Sequence, residues 1–353
     1  MAMLKVIDPG LVTSLQDGGR RGFQRFGVPP SGALDRESLA EANALVGLGA
    51  EAPALEMRFL GPTLEAEAPL RLATAGAELA MALKRADGSE ETVAGWRSVT
   101  LGAGDRLRIG PLKSSATAYL AVAGGFAARP VLGSAATLGR AGLGGFEGRA
   151  ITGGDRLPLA AAAPEAPAGP DRALPPRENP GAGPRRIRVV LGPQDDHFTD
   201  AGHEAFLATV WTVSDKSDRM GLRLEGGTLE HRAEAARGAD IVSDGIVTGA
   251  IQVPGSGQPI LLLADRQTSG GYAKIAAAIT ADLPLLGRAG PGTKLRFEVV
   301  TAAEGAEAAR AAKAALQKRL GRMTDVVDME LNLRALYNEN LITGQVEDSP
   351  AGD

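Results

Sequence analysis

Glycine and proline punctuate this chain from end to end: 47 Gly and 22 Pro among 353 residues. Glycine runs at nearly twice the usual ~7 per cent. Helix interiors exclude both residues, because Gly has excess backbone freedom and Pro lacks an N–H. This argues against a helical bundle or coiled coil. The excess does not imply disorder, since 44% of the residues are hydrophobic and the glycines are spread along the chain. The expectation is a mainly β chain of many short strands and tight turns.

The length suggests two domains at a soft prior of ~150 residues each. Ala160 to Arg186 holds seven Pro and eight Ala without apolar periodicity, as expected of an extended, semi-rigid linker. The expected layout is a first barrel domain over 1–160, a Pro/Ala-rich linker over 161–186, a second barrel domain over 187–301, and a helix with a polar tail over 302–353. In the first half, strands are expected at Leu4–Ile7, Leu70–Ala75, Glu78–Leu83, Ser98–Leu101, Arg106–Ile109 and Thr117–Val122. Asp87-Gly88 signals a hairpin, and Ser38–Val46 a helix with Leu39, Ala42, Leu45 and Val46 on one face. In the second half, strands are expected at Ile187–Leu191, Ile246–Val253, Ile260–Ala264 and Lys294–Val300. Ala302–Leu320, rich in Ala, Glu, Lys and Arg, is expected to be a helix; a short helix around Met329–Tyr337 or a loosely docked tail follows. Two echoes suggest an internal repeat: Leu4–Ile7 with Ile187–Leu191, and Leu60–Glu65 with Glu225–Glu230.

Composition also narrows the chemistry. Without Cys, disulfides, thiolate catalysis and thiolate metal sites are excluded. Its three histidines, His197, His203 and His231, do not form a zinc-hydrolase spacing. A net charge of −4 speaks against a nucleic-acid surface. No apolar run approaches a membrane span of ~20 residues, and the N-terminal residues lack the pattern of a signal peptide, so a cytoplasmic location is expected. The phosphate-loop pattern GxxxxGK[ST], a properly placed GxGxxG, the GxSxG elbow and a biotin-acceptor motif are all missing.

Polar residues instead crowd three segments. Asp265-Arg266-Gln267-Thr268-Ser269-Gly270-Gly271-Tyr272-Ala273-Lys274 follows an apolar strand. Gly270-Gly271 would admit close backbone approach, and Arg266 could grip a carboxylate or phosphate; alternatively, Asp265 and Arg266 form a buried pair bracing a turn. Ser214 to Gly226 carries Asp218, Arg219 and Arg223 and, on the residues alone, reads first as a solvated charged hairpin. Thr13 to Arg20, followed by Gly27 to Asp35, reads as a long loop, of the length often used for function.

Six ordered motifs tie these segments together: Asp8-Pro9-Gly10-Leu11 through Gln16-Asp17 to Gly19-Arg20; Gly27-Val28-Pro29 with Ser31-Gly32-Ala33 and Asp35; Leu132-Gly133-Ser134; Gly144-Gly145 with Glu147-Gly148-Arg149; Ser217-Asp218-Arg219-Met220-Gly221; and Gly249 to Pro254 running on to Asp265–Lys274. Over about residues 3 to 300 this resembles the KipA-like family, also called the allophanate hydrolase subunit 2 or 5-oxoprolinase C-subunit family, and is similar to the carboxyltransferase half of urea carboxylase. The resemblance implies two cyclophilin-like β-barrels. It implies KipI-like (B) and LamB/YcsF-like (A) subunits as partners, and ATP-dependent opening of the lactam of 5-oxoproline (pyroglutamate) to L-glutamate, with ATP bound by or with a partner. Two alternatives stay open. One is a carboxyltransferase subunit for urea or another amide, with biotin supplied by another chain. The other is a non-catalytic KipA-type antagonist of a kinase inhibitor.

Opening a lactam needs a stabilised oxyanion and a proton for the leaving nitrogen. Arg266, Arg219 and the Gly270 and Gly271 N–H groups are candidates for the first role, and Tyr272 or Lys274 for the second. Asp265 would orient Arg266 or act as base. Gln252, Gln267, Thr268, Ser31, Asp35 and Asp218 are candidates for holding the substrate.

Overall fold

The computed structural model describes residues 2–160, 169–178, 181, 183–232 and 239–326. Strand alternation builds the first unit. Met3–Asp8 buries Leu4 and Val6 and pairs antiparallel with Thr63–Ala66 and Arg156–Pro158. Arg106–Ile109, Ala80–Lys84 and Glu90–Ala94 complete a six-stranded sheet. Facing it is a seven-stranded sheet in the order Val12–Gln16, Ala54–Arg58, Thr117–Val122, Leu70–Ala75, Arg97–Leu101, Arg172–Ala173, Thr324–Asp325. Leu4, Leu64 and Met81 of the first sheet and Leu15, Leu55, Leu72 and Leu120 of the second form one core. Each such burial contributes ~1.5–3 kcal/mol.

The second unit is a closed seven-stranded barrel: Arg185–Leu191, Lys274–Ala278, Ala250–Gln252, Ile260–Leu262, Gly221–Glu225, Trp211–Val213, Lys294–Val299. Its inward residues, among them Ile187, Val189, Leu222, Ile251, Leu261, Ile275 and Phe297, fill the interior. Outside the barrel, Asp240–Gly245 and Ser269–Tyr272 form a two-stranded ribbon. Four helices complete the described residues: α1 (Arg36–Leu45), α2 (Asp200–Ala208), α3 (Leu283–Gly287) and α4 (Ala302–Leu320). The fold is thus mainly β, a cyclophilin-like pair of units with a C-terminal helix.

Several elements depart from the sequence reading. Of the expected strand Ile246–Val253 only Ala250–Gln252 forms, residues 246–249 being a loop that ends in a turn. The expected loop at Thr13–Arg20 begins as the strand Val12–Gln16. Only Leu15 reaches the apolar core; Thr13 bonds the Pro9 carbonyl and Gln16 the Thr137 carbonyl, so buried polar side chains hide its alternation. Ala54–Arg58 is a further strand outside the expected set, and both its apolar and its charged side chains are buried. The second echo does not recur structurally: Thr63–Ala66 is a strand, whereas residues 226–230 follow a strand end as coil.

Of the expected linker, residues 169–178 lie on the first unit. Asp171 accepts from Arg71 at 2.9 Å and from Thr100 Oγ1 at 3.0 Å, and Leu174 is buried. α4 covers the expected Ala302–Leu320, whereas Met329–Tyr337 lies outside the described residues. No helix of the described residues is long and apolar enough to cross a membrane.

Candidate functional site

A buried ion network joins the two units. The Asp218 carboxylate accepts from the Met220 N–H at 2.8 Å and the Gly221 N–H at 3.3 Å, closing the turn that carries Arg219. Arg219 grips Asp265 with two bonds, at 2.8 and 3.1 Å. It also donates to Glu56 of the first unit and to the Gly32 carbonyl at 2.7 Å. Glu56 in turn accepts from the Tyr119 hydroxyl at 2.6 Å and the Leu34 N–H at 2.9 Å. Burial alone would lower the Arg219 pKa, but Asp265 and Glu56 outweigh it and hold the group above its ordinary value. Burial, then Glu56, pushes the Tyr119 phenol well up. Arg20 and Arg58 are buried beside this network; Arg20 feels the charges of Asp17 and Asp265, and Arg58 those of Glu56 and Arg219.

Beside the network a cleft of about 120 Å³ opens between the units. Arg140 of the first unit and Lys216, Asp218, Arg223, Gln252 and Gln267 of the second are its polar lining. Ile251 and Val253 point into the barrel, so Gln252 points out of it. There its Oε1 accepts from Gln267 Nε2 at 3.3 Å, making a coupled amide pair. Gly270 packs against this pair: a Cβ there would stand 3.5 Å from Gln267 Nε2 and 3.6 Å from Gln252 Oε1, but 2.7 Å from Ile246 Cδ1. Arg140 reaches Asp218 across the cleft at 3.4 Å. Arg223 and Lys216 form no ion pair among the described residues, and both also line an adjoining hollow of about 300 Å³. The arrangement presents cations for a carboxylate next to amides that can read an N–C=O group.

The expected site residues therefore separate into groups. Gln252, Gln267 and Asp218 line the cleft and Gly270 backs it. Arg219 and Asp265 form its buried flank, and the Asp265–Arg266 pair is absent. Arg266, 2% exposed, donates instead to the Ile246 carbonyl at 3.0 and 3.3 Å; its Nη1 is without a partner, and burial pushes its pKa down to about 10. It braces the backbone behind the cleft rather than facing it. Thr268 braces the same backbone, its carbonyl accepting from the Ile246 N–H at 3.0 Å.

Lys274 sits directly across the ladder from Gln252, almost fully buried, with Nζ 3.4 Å from the Asp244 carboxylate. Tyr272 is exposed on the ribbon, and Gly271 lies nearest Ile241 and Ser243. Ser31 and Asp35 belong elsewhere. Asp35 caps α1 and pairs with Arg288 at 2.5 Å, while Ser31 is buried at a left-handed φ of 52°. Among the described residues no group of three or more His, Asp or Glu could hold a metal ion.

Sequence reasoning misses Glu56, Tyr119 and Arg140. The alternation Leu55-Glu56-Met57-Arg58 carries a signal for Glu56: an apolar face whose other side is charged in a run bounded by Pro53 and Gly61. Arg140 carries none, because only the fold brings residues 140 and 218 together.

Comparisons with known proteins place the chain in a family. The model of the carboxyltransferase domain, subdomain A and B, matches residues 26–299. The chain is 38% identical over 299 residues to the C subunit of 5-oxoprolinase from Escherichia coli K12, covering 84% of this chain and 90% of that protein. It is 35% identical over 312 residues to the C subunit of 5-oxoprolinase from Haemophilus influenzae, covering 87% and 94%. The crystal structure of Kluyveromyces lactis urea carboxylase superposes with a TM-score of 0.81 at 27% identity, over 92% of this chain but only 30% of that one.

Proposed function

The chain belongs to the carboxyltransferase subdomain A and B family, and on that premise we propose that it is the C subunit of an ATP-dependent 5-oxoprolinase, which cleaves the lactam of 5-oxoproline to L-glutamate. The observation that carries this reading is the cleft between the units, with three cations beside a paired set of amides. Arg140, Lys216 and Arg223 are suited to the substrate carboxylate. Gln252 and Gln267 are suited to the lactam N–H and C=O, which present one donor and one acceptor. Water adds to the lactam carbonyl carbon, and the negative charge this places on the carbonyl oxygen is stabilised by amide N–H groups fixed in advance; collapse of that adduct breaks the C–N bond and leaves the water oxygen in the new carboxylate. The leaving nitrogen takes a proton, and we assign that role to Lys274, which stands across the ladder from Gln252. Arg219, locked to Asp265 and Glu56, holds the two walls in register.

The chain has no phosphate loop, so we assign ATP to a partner or to an interface shared with one, and route no step of this chain through it. The partners we propose are the KipI-like (B) and LamB/YcsF-like (A) subunits. The likeness to urea carboxylase favours one second reading, carboxyl transfer to urea or another amide with biotin carried by a separate chain. The test is glutamate release from 5-oxoproline and ATP by the complete set of subunits. Replacing both Gln252 and Gln267 by Ala should lower kcat about 100-fold or more, and Arg223→Met should raise KM. Unchanged turnover in the double variant refutes the site. Bicarbonate-dependent ATP turnover with a biotinylated partner favours carboxyl transfer, and tight binding to the KipI-like partner without turnover favours the antagonist.

A further inference from the structure

α4 is an unusual surface helix: only Gly305 of its 19 residues is buried. Both ends are nevertheless fastened. At the start, Thr301 and Glu304 form a reciprocal capping box. At the end, Arg319 donates to the buried Glu41 at 2.6 Å and to the Pro175 carbonyl at 2.7 Å. Between these anchors Ala309, Ala312 and Leu316 share one face by their spacing and are only half-covered. They face a cavity of about 550 Å³ between the two units, within the roughly 300–1,000 Å³ of small-molecule sites. The family match ends at residue 299, before this helix begins.

We propose that the cavity roofed by α4 is a second binding site, for a small amphipathic carboxylate. Leu34, Leu263, Leu283 and Leu316 give it apolar walls. Its charged lining is not neutral once existing pairs are removed. Glu37 is taken by Arg288 and Arg177, at 2.7 and 3.0 Å, and Glu51 by Arg21 at 2.9 Å. Arg36 bonds only the Gly18 carbonyl, and neither it nor Lys313 forms an ion pair among the described residues. Ser31 also lines the cavity, buried in a left-handed conformation with an Oγ that has no partner. Of the six described non-glycine residues with a left-handed φ, only Ser31 holds a buried, unpartnered side-chain oxygen, and a carboxylate would supply acceptors for all three donors. The site is separate from the cleft, because the Arg219–Asp265 network stands between them: Asp218 and Met220 border the cleft, whereas Ala33 and Ala264 border the cavity.

Isothermal titration of the full chain with octanoate, against octanol as the uncharged control, tests this. One octanoate should bind per chain, about tenfold or more tighter than octanol. Lys313→Glu, on the rim, should weaken octanoate about tenfold and leave octanol unchanged. Ala312→Trp, which fills the cavity from its roof, should abolish binding of both. Equal affinity for octanoate and octanol, octanoate affinity unchanged in Lys313→Glu, or no octanoate binding to the unmodified chain overturns the proposal.

Discussion

Arg219, its side chain 13% exposed, and Arg266, 2% exposed, are both largely covered guanidiniums, and they are sustained by opposite means. Arg219 has two carboxylates, and it also bridges the units. Arg266 has one carbonyl, an unpartnered Nη1, and a pKa pushed down to about 10 by burial. Removing one partner of a buried ion network leaves uncompensated charge, at a cost of about 3–5 kcal/mol. Arg219→Met, which strands Glu56 and Asp265, should lose that much in urea unfolding at pH 7. Arg266→Met leaves only the Ile246 carbonyl unpaired, at about 1–3 kcal/mol, and sheds a charge that burial penalises. Because its folded pKa lies below the unfolded one, that penalty is complete at any pH below 10, so the net loss should be near 1 kcal/mol. Equal losses in the two variants would contradict this division. The sequence draws attention to the right segment, 265–274, but not to its pairing. Adjacent residues turn to different partners: Asp265 to a turn 46 positions earlier, Arg266 to Ile246. Nothing local in the sequence encodes either choice.

At the scale of elements, α1 shows how one residue does two jobs. Asp35 caps the helix, accepting from the Glu37 and Ser38 N–H groups at 3.1 Å, and also pairs with Arg288. Burial alone would raise its pKa, but Arg288 outweighs this and holds the carboxyl below its usual range. The unfolded chain, with an aspartate pKa of ~3.9, therefore takes up the proton first. The stabilisation is full above that value and drains away as pH falls through the folded one. Asp35→Asn keeps a capping oxygen but loses the charge. Its deficit against the unmodified chain, about 3 kcal/mol at pH 7, should shrink as urea midpoints are followed from pH 7 to pH 3; parallel profiles would rule out the linkage. Short apolar runs and an Ala-rich composition made many elements legible: the strands Leu70–Ala75, Arg106–Ile109 and Thr117–Val122 and the helix Ala302–Leu320 have the expected bounds. Other strands are harder to read for definite reasons. Ala54–Arg58 alternates but also buries its charged side, because the partner of Glu56, Arg219, lies 163 residues away. Glu90–Ala94 is a sheet edge that buries only Val93.

The whole molecule depends on the docking of its halves, because the cleft takes Arg140 from one unit and Gln252 from the other. The junction is made of backbone as much as side chains. The Gly287 carbonyl accepts from Thr117 Oγ1 at 2.8 Å, and the Arg288 carbonyl from the Ala116 N–H at 3.0 Å. At Gly287 the chains approach so closely that a Cβ would stand 2.4 Å from the Leu34 carbonyl oxygen and 2.6 Å from its carbon. Both obstacles are main chain, so no rotamer change relieves them, and the two units must separate to admit a methyl group. That displacement would pull Arg288 from Asp35 and Arg219 from Glu56, the ion pairs that cross the same junction. Calorimetry should give one cooperative transition for the unmodified chain. Gly287→Ala should cost about 3 kcal/mol and split the transition in two, each unit keeping its own core. Affinity for 5-oxoproline should fall with it, although residue 287 lies outside the cleft lining. A single transition at an unchanged midpoint in Gly287→Ala would mean that the halves do not rely on this contact.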